Sequence, residues 1–139
     1  GKVFATPGWR VIKDRGSLLI EPVQEAVKPL LEIKEHPYTP DFMIPRDKAT
    51  ACFDADKLQH PLSLRLCRQG DSFVPFGMKG RKKVSDYLTD RKFSLLRKER
   101  QWVLCCGDDI IWLVGERADN RFRIDEKTRK VLVVSTIGQ

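Results

Sequence analysis

The stretch WVLCCGDDIIWLVG, residues 102–115, decides the fold class. Two uninterrupted apolar segments flank Gly107, Asp108 and Asp109, residue types that favour a tight turn. A strand with one face in water would alternate apolar and polar side chains, and neither segment does so. The stretch therefore predicts a β-hairpin whose strands are covered on both faces.

Further short strands are predicted on both sides of this hairpin. The segments ATACFDAD (49–56) and LSLRLCRQ (62–69) are strand-like, and in the second leucines alternate with Ser63, Arg65 and Cys67. After the central hairpin, FRIDEKTRKVLVVSTI (122–137) predicts a last hairpin that turns at residues 125–128.

The apolar pattern predicts one helix, near residues 82–91. Val84, Tyr87 and Leu88 form an apolar stripe at helical spacing, and Asp86 lies opposite. Many short strands with one or two helices indicate an α+β domain built on antiparallel sheets rather than repeated β-α-β units.

The N-terminal third predicts an extension ahead of the main domain. WRVIKDRGSLLIEPV (9–23) predicts a hairpin in which Gly16 supplies the positive φ of the turn, and the apolar stretch PLLEIKE (29–35) follows. HPYTPDFMIP (36–45) contains three prolines, which exclude a helix or a central strand and indicate a connector or an extended edge. We therefore place a strand-rich extension and connector at 1–47 and the main domain at 48–139.

Charge is concentrated in one window of the chain. The 139 residues carry 26 Lys and Arg against 19 Asp and Glu, a formal charge of +7 that favours polyanionic partners. Residues 79–100 alone hold nine cations and three anions, or +6. The nine cations are Lys79, Arg81, Lys82, Lys83, Arg91, Lys92, Arg97, Lys98 and Arg100.

The sequence favours neither a membrane protein nor a metal site. No apolar run approaches the roughly 18 to 20 residues of a membrane span, and no secretory signal is evident, so we expect a cytoplasmic protein. The cysteines at 52, 67, 105 and 106 form no CxxC pair and lack a histidine at zinc-finger spacing, which indicates core residues. His36 and His60, each beside a proline, are expected in turns or at the surface, without a catalytic role.

The segment RQGDSFVPFGMKGRKKVSDYLTDRK (68–92) predicts an ordered loop. Its glycines permit backbone angles that other residues resist, and Pro75 stiffens the path. We expect three large apolar residues to anchor the loop to the core. They are Phe73, Phe76 and Met78. The residues expected to shape the loop are Gly70, Asp71, Pro75, Gly77 and Gly80.

The cations follow this loop directly into the predicted helix. Lys79, Arg81, Lys82 and Lys83 precede the first turn, whose free N–H groups also favour an anion. The combination is typical of a phosphate-binding platform. The simpler alternative is a solvated basic face that only keeps the domain soluble.

These residues carry a resemblance to a known family. The pattern Arg68-x-Gly70-Asp71-x-Phe73-x-Pro75-x-Gly77-Met78-x-Gly80-x-Lys82-Lys83, with Ser85-Asp86-x-Leu88, Lys92 and Trp112-x-Val114-Gly115-x-Arg117, resembles the C-terminal domain of bacterial tRNA(Ile)-lysidine synthetase. The similarity covers roughly residues 49–134 and is loose before them. So many fixed spacings are far more specific than a single glycine motif.

The resemblance implies a fold, a reaction and a division of labour. The family's fold here is a three-layer, β-sandwich-like domain related to one in the phenylalanyl-tRNA synthetase β subunit. The enzymes ligate lysine to the wobble cytidine of a tRNA(Ile) with a CAU anticodon, after ATP adenylates the cytosine. That chemistry belongs to an N-terminal domain with an SGGxDS motif, which is absent from these 139 residues.

The resemblance also implies the partners and ligands of the fragment. We expect it to hold the tRNA acceptor stem through the nine cations, to adjoin the catalytic domain of its parent chain and to be inactive alone. No cofactor is expected in the fragment, whereas ATP and Mg²⁺ are implied for the parent. The sequence leaves open whether the domain forms a homodimer.

Two rival functions remain at this stage. The basic loop could dock on an acidic protein partner or on other domains of the parent enzyme, because interfaces within a chain are often polar. The fragment could also be an enzyme with Cys105, Asp108 or Asp109 as reactive groups. Turn chemistry accounts for the aspartates, and no histidine lies nearby to activate the cysteine.

Overall fold

The computed structural model describes residues 27–137, together with the backbone of three strands before them. The strands are β1 (Val3–Thr6), β2 (Trp9–Asp14), β3 (Ser17–Pro22), β4 (Leu30–Pro37), β5 (Thr50–Asp54), β6 (Leu62–Leu66), β7 (Ser72–Phe73), β8 (Lys82–Lys83), β9 (Trp102–Cys106), β10 (Asp109–Leu113), β11 (Arg117–Ala118) and β12 (Lys130–Ile137). The helices are α1 (Val84–Asp90) and α2 (Leu95–Glu99), and short 3₁₀ turns occupy Ala55–Lys57 and Asn120–Phe122.

The strands form four antiparallel sheets, which confirms the predicted α+β class. The strand orders are β1-β2-β3, β11-β10-β9-β6, β4-β12-β5 and β7-β8. The second of these, called the central sheet below, contains the predicted hairpin as β9 and β10. Gly107 has a φ of +59° in the turn, and Cys106 pairs with Asp109 across it.

Both faces of the central sheet are covered, as the uninterrupted apolar segments predicted. On one face Val103, Cys105, Ile110 and Leu113 pack in a cluster with the stripe of α1. On the other, the side chains of β9 and β10 pack against those of the β4-β12-β5 sheet. That second cluster includes Leu104, Cys106, Ile111, Trp112, Ala51, Phe53 and Val134. The domain therefore has three layers, and each fully buried large side chain contributes roughly 2 kcal/mol to stability.

A bulge lets the central hairpin present its largest side chain to the second cluster. The pairing of β9 with β10 shifts between Ile110 and Trp112, so Ile111 is the extra residue. Ile111 and Trp112 both belong to that cluster and are almost fully buried. A bulge places two consecutive side chains against one partner residue, which strict alternation does not allow.

The helical layer contains one predicted helix and one that the sequence analysis missed. Val84, Tyr87 and Leu88 of α1 are buried as expected. Ser94 caps the N-terminus of α2, and its hydroxyl accepts a hydrogen bond from the Arg97 N–H at 3.2 Å. It has five residues and buries none of them, so it lacks the apolar periodicity that identifies a helix.

The last strand is the centre of the third layer, and the predicted last hairpin is wrong. β12 pairs with β4 along eight residues and with β5 along five. The predicted turn exists, because the Asp125 N–H donates to the Thr128 hydroxyl at 2.9 Å. The segment before it forms the Asn120–Phe122 turn instead of a strand. Pairing with two longer strands satisfies the backbone hydrogen-bonding groups along both edges of β12. The three residues Asn120–Phe122 are too few to do so.

The N-terminal strands agree with the sequence in part. β2 and β3 pair with Asp14 opposite Ser17, as the predicted hairpin requires. The predicted positive φ of Gly16 lies outside the described residues.

The predicted connector contains no strand or helix over residues 38–49, in keeping with its prolines. His36 lies in β4, an edge strand of its sheet, and not in a turn. β4 pairs with β12 across the proposed boundary at residue 47, which stays a prediction.

Candidate nucleic-acid interface

The segment between β7 and β8, residues 74–81, is called the glycine loop below and is held by hydrogen bonds. The Val74 N–H donates to the Asp119 carboxylate at 2.9 Å, and the Phe76 N–H donates to the Ala118 carbonyl at 2.9 Å. The Gly77 N–H donates to the Asn120 side chain at 3.1 Å. These bonds tie the loop to the end of the central sheet, as expected for an ordered loop.

Asp119 is the main attachment point, and the sequence analysis missed it. Its side chain is fully buried and also accepts hydrogen bonds from the Arg121 N–H at 2.8 Å and from the Arg121 guanidinium at 3.0 Å. A buried carboxylate is stable only when paired and hydrogen-bonded in this way. The available signal was an Asp two residues before an Arg, a pattern that also occurs at exposed turns.

A second ion pair connects the base of the loop to the central sheet. The Arg65 guanidinium on β6 donates to both Asp71 oxygens, at 2.8 and 3.0 Å, and the Arg68 N–H donates to the same carboxylate at 2.7 Å. Burial alone would raise the pKa of Asp71, but these donors outweigh it and hold that pKa below its usual value. The Asp71 carbonyl accepts the Val84 N–H at 2.9 Å, so this residue also positions the start of α1.

Only some of the predicted loop-shaping features are present. Gly70 and Gly77 have φ of +90° and +86°, conformations that favour glycine, whereas Gly80 has no positive φ and open space around it. Phe73 is buried as expected. The predicted anchoring is wrong for Phe76 and Met78, which are 54% and 44% exposed. The loop is attached through its backbone instead, which leaves these two side chains in solvent.

The nine predicted cations lie in the glycine loop, in β8, in α2 and among the residues that immediately follow the two helices. We call this group the cation ridge; it belongs to the layer that covers one face of the central sheet. Seven of the side chains are exposed, and Lys82 and Lys98 are half-buried. The structure thus brings the predicted residues into one layer, as their closeness in sequence suggested.

Some of the nine cations contact carboxylates of the same domain. Lys82 pairs with Asp90, and the Arg91 Nε donates to a Glu116 oxygen at 2.9 Å, which raises the pKa of Arg91 further. Other cations of the ridge contact neutral groups. Arg81 donates to the Ser72 hydroxyl at 3.0 Å, and the Arg97 guanidinium lies 3.7 Å from the centroid of the Phe93 ring.

The side chains of three cations of the ridge make no hydrogen bond, ion pair or contact with an aromatic ring in the part of the chain that the structure describes. They are Lys79, Lys83 and Lys92. All three are exposed. Their charge is therefore presented to solvent and available to an anion.

The four cysteines are free thiols that differ in burial. Cys105 and Cys106 are buried as predicted, whereas Cys52 and Cys67 are half-buried. Burial, with a smaller effect of Asp47, raises the pKa of Cys52 to about 11. Within residues 27–137, no group of three or more potential ligands could hold a metal ion, and no described helix is long and apolar enough to cross a membrane.

Comparison with known proteins identifies the family. The sequence profile described as the TilS substrate C-terminal domain matches residues 62–134, from the first residue of β6 into β12. The chain belongs to this family. The predicted resemblance is therefore confirmed, and the matched segment contains the glycine loop and the whole cation ridge.

Full-length relatives and solved structures agree with this assignment to the TilS substrate C-terminal domain family. The tRNA(Ile)-lysidine synthases of Bacteroides thetaiotaomicron and Parabacteroides distasonis are 59% and 48% identical over 99% of this chain. The chain spans 33% and 35% of their lengths, or about a third.

Two solved structures share the fold at low sequence identity. A crystal structure of the TilS C-terminal domain matches with a TM-score of 0.62 and 19% identity, covering 78% of this chain and 85% of that one. An N-terminal fragment of the phenylalanyl-tRNA synthetase β subunit from Pyrococcus horikoshii matches with a TM-score of 0.53 and 16% identity, covering 63% and 27%. Both relationships were expected from the sequence.

A side chain at position 77 should destabilise the glycine loop. We expect Gly77→Val to lower the free energy of unfolding by about 1 to 2 kcal/mol, because the positive φ disfavours a Cβ, and to lower the melting temperature by about 4 to 8 °C. Gly80→Val is the matched control, since its backbone is unstrained and a Cβ there meets nothing within 4 Å. Equal thermal melts for the two variants would contradict this account of the loop.

The Asp71 ion pair should make stability depend on pH. At pH 7 we expect Asp71→Asn to cost about 2 kcal/mol, because it leaves the half-buried Arg65 without its carboxylate. The folded pKa of Asp71 is depressed, so its contribution is present above the unfolded pKa and is lost as pH falls through the folded one. Denaturant unfolding should therefore show the two proteins converging in stability below about pH 4. A gap that stays constant down to pH 2 would contradict this linkage.

Proposed function

We propose that this domain binds tRNA through the cation ridge, as the substrate-holding C-terminal part of a tRNA(Ile)-lysidine synthase. The observation that carries the proposal is the placement of nine cations on one continuous, ordered segment, with Lys79, Lys83 and Lys92 exposed and free of described carboxylate partners. The names of the relatives support the choice of tRNA as the polyanion.

The acceptor stem is the part of the tRNA that suits this surface. An A-form RNA duplex hides its base edges in a deep, narrow major groove, so proteins mostly recognise its phosphates and 2′-hydroxyls. Cations held on a rigid scaffold match regularly spaced phosphates without the need to read bases. The bonds of Asp119 and Asp71 supply that rigidity, since both fix the loop from which the ridge begins.

Within the ridge, the contributions to binding should be unequal. Lys82 and Arg91 are already partly neutralised by Asp90 and Glu116, so forming a phosphate contact requires them to exchange partners. Lys79, Arg81 and Lys83 face no such competition. We therefore assign most of the electrostatic contribution of the loop to these three.

The catalytic activity is proposed for the parent enzyme rather than for this domain. In that proposal, an N-terminal domain uses ATP with Mg²⁺ to activate the wobble cytidine, lysine completes the modification, and the present domain keeps the tRNA in place. The proposal includes a cytoplasmic location, where the tRNA substrate resides.

The isolated domain should bind tRNA with a steep dependence on salt. We expect the triple variant Lys79→Ser, Arg81→Ser, Lys83→Ser to reduce the slope of log K against log salt by about 2, since each neutralised phosphate adds somewhat under one unit. Filter binding or fluorescence anisotropy across a salt series measures the slope.

The matched control removes the same charge from the opposite outer layer. Lys34→Ser, Lys127→Ser and Lys130→Ser change residues on β4, in the turn before β12 and on β12, respectively. This control should leave the slope unchanged. Equal slopes in both triple variants would place the phosphate contacts elsewhere, and a wild-type domain that ignores tRNA would favour a protein-interaction role.

The domain alone should not transfer lysine. Incubation of the 139-residue protein with ATP, Mg²⁺, radiolabelled lysine and tRNA(Ile) is expected to leave the RNA unlabelled, because the resemblance assigns catalysis to a domain with a motif that these residues lack. A full-length synthase serves as the positive control. Labelled RNA in the absence of that enzyme would refute the division of labour.

A further inference from the structure

A groove of about 600 Å³ lies beside the glycine loop, on the side of the third layer. It is lined by Phe76 of the loop, by Trp112 and Ala118 of the central sheet and by the residues that lead into and form the start of β5. Its volume falls within the roughly 300 to 1,000 Å³ typical of small-molecule sites. The groove is therefore large enough for one nucleotide.

Phe76 is held in an exposed position by its own backbone. Its N–H donates to the Ala118 carbonyl, and the next residue, Gly77, donates to Asn120, while the side chain remains 54% exposed. A large aromatic side chain in water loses the stabilisation that burial would supply. The exposed ring lines the groove, where a flat ligand such as a base could stack on it.

The charged residues around the groove favour an anion. Arg46, Lys48 and Arg117 line it, and no ion pair within residues 27–137 involves any of them. Of the two acidic residues that line it, Glu116 is already bound by Arg91, which leaves Asp47. The groove thus combines an exposed ring with surplus positive charge.

We propose that this groove binds an unpaired nucleotide of an RNA ligand, with the base stacked on Phe76 and its phosphate near the cations. The inference deepens the proposed function and rests on it: the cation ridge would hold duplex RNA, and the groove would take a nucleotide outside the duplex. An aromatic side chain stacks on any base, and a cationic rim follows the backbone, which is the general arrangement of single-strand sites.

An extended acidic peptide is the competing occupant, and the β11 side of the groove disfavours it. Peptides bind sheets by adding a strand to a free edge. At β11 that edge is already used, because Pro75 forms a bridge with Asp119 and the Phe76 N–H occupies the Ala118 carbonyl. Specific contact there must come from side chains, which suits a flat base.

The test uses the 139-residue protein and three RNA hairpins with the same duplex. One is blunt, one carries a 3′ extension of four adenosines, and one carries four abasic nucleotides, so the last two have equal charge. Wild type should bind the adenosine hairpin about tenfold more tightly than the abasic one, since stacking on an aromatic residue contributes roughly 1 to 3 kcal/mol per base. Phe76→Ala should abolish this preference and leave binding of the blunt hairpin unchanged.

Met78→Ala is the matched control, because Met78 is also exposed on the glycine loop but does not line the groove. It should keep the tenfold preference, and thermal melts should show that both variants remain folded.

Two results would overturn the inference: no preference in wild type, or the same preference in Phe76→Ala. In either case, binding of the blunt hairpin would still support the proposed function. Failure to bind any hairpin would overturn both. Poly-glutamate binding that depends on Phe76, without a base preference, would reassign the groove to a protein partner.

Discussion

Coverage of the β9–β10 hairpin on both faces is the constraint on which the rest of the domain depends. Its apolar side chains are divided between two clusters on opposite faces, so the chain must supply a covering layer on each side. The segment from β7 to α2 supplies one layer, and the β4-β12-β5 sheet supplies the other. Since the cations lie on the first of these layers, packing against the hairpin is also what positions the cation ridge.

The attachment of the glycine loop links this core to the candidate interface. Asp119 lies at the end of the central sheet, is fully buried and accepts hydrogen bonds from both the loop and Arg121. Asp71 similarly joins β6 to the first residue of α1. Buried carboxylates of this kind stabilise one arrangement of backbone and side chains, because the alternative leaves a charge without partners. The segment between these two points is consequently attached to the core at both ends.

Sequence reasoning succeeded where a pattern was local and failed where partners are distant in sequence. The central hairpin and the stripe of α1 follow from spacing and were confirmed. The helix α2 was missed because it buries nothing, and the predicted last hairpin was wrong because β12 finds its partners about 80 and 100 residues earlier in the chain. No local pattern reports such pairing, since alternation specifies a strand but not its neighbour.

The amino-acid sequence by itself determined the fold class, the family and the concentration of positive charge, because these depend on residue types at fixed spacings. Only the tertiary structure decided which cations are paired with carboxylates. It also decided that the backbone requires a glycine at position 77 but not at position 80, and that Phe76 faces solvent beside a groove. Each of these outcomes depends on a hydrogen bond, an ion pair or a backbone angle set by segments that meet only when the three layers assemble.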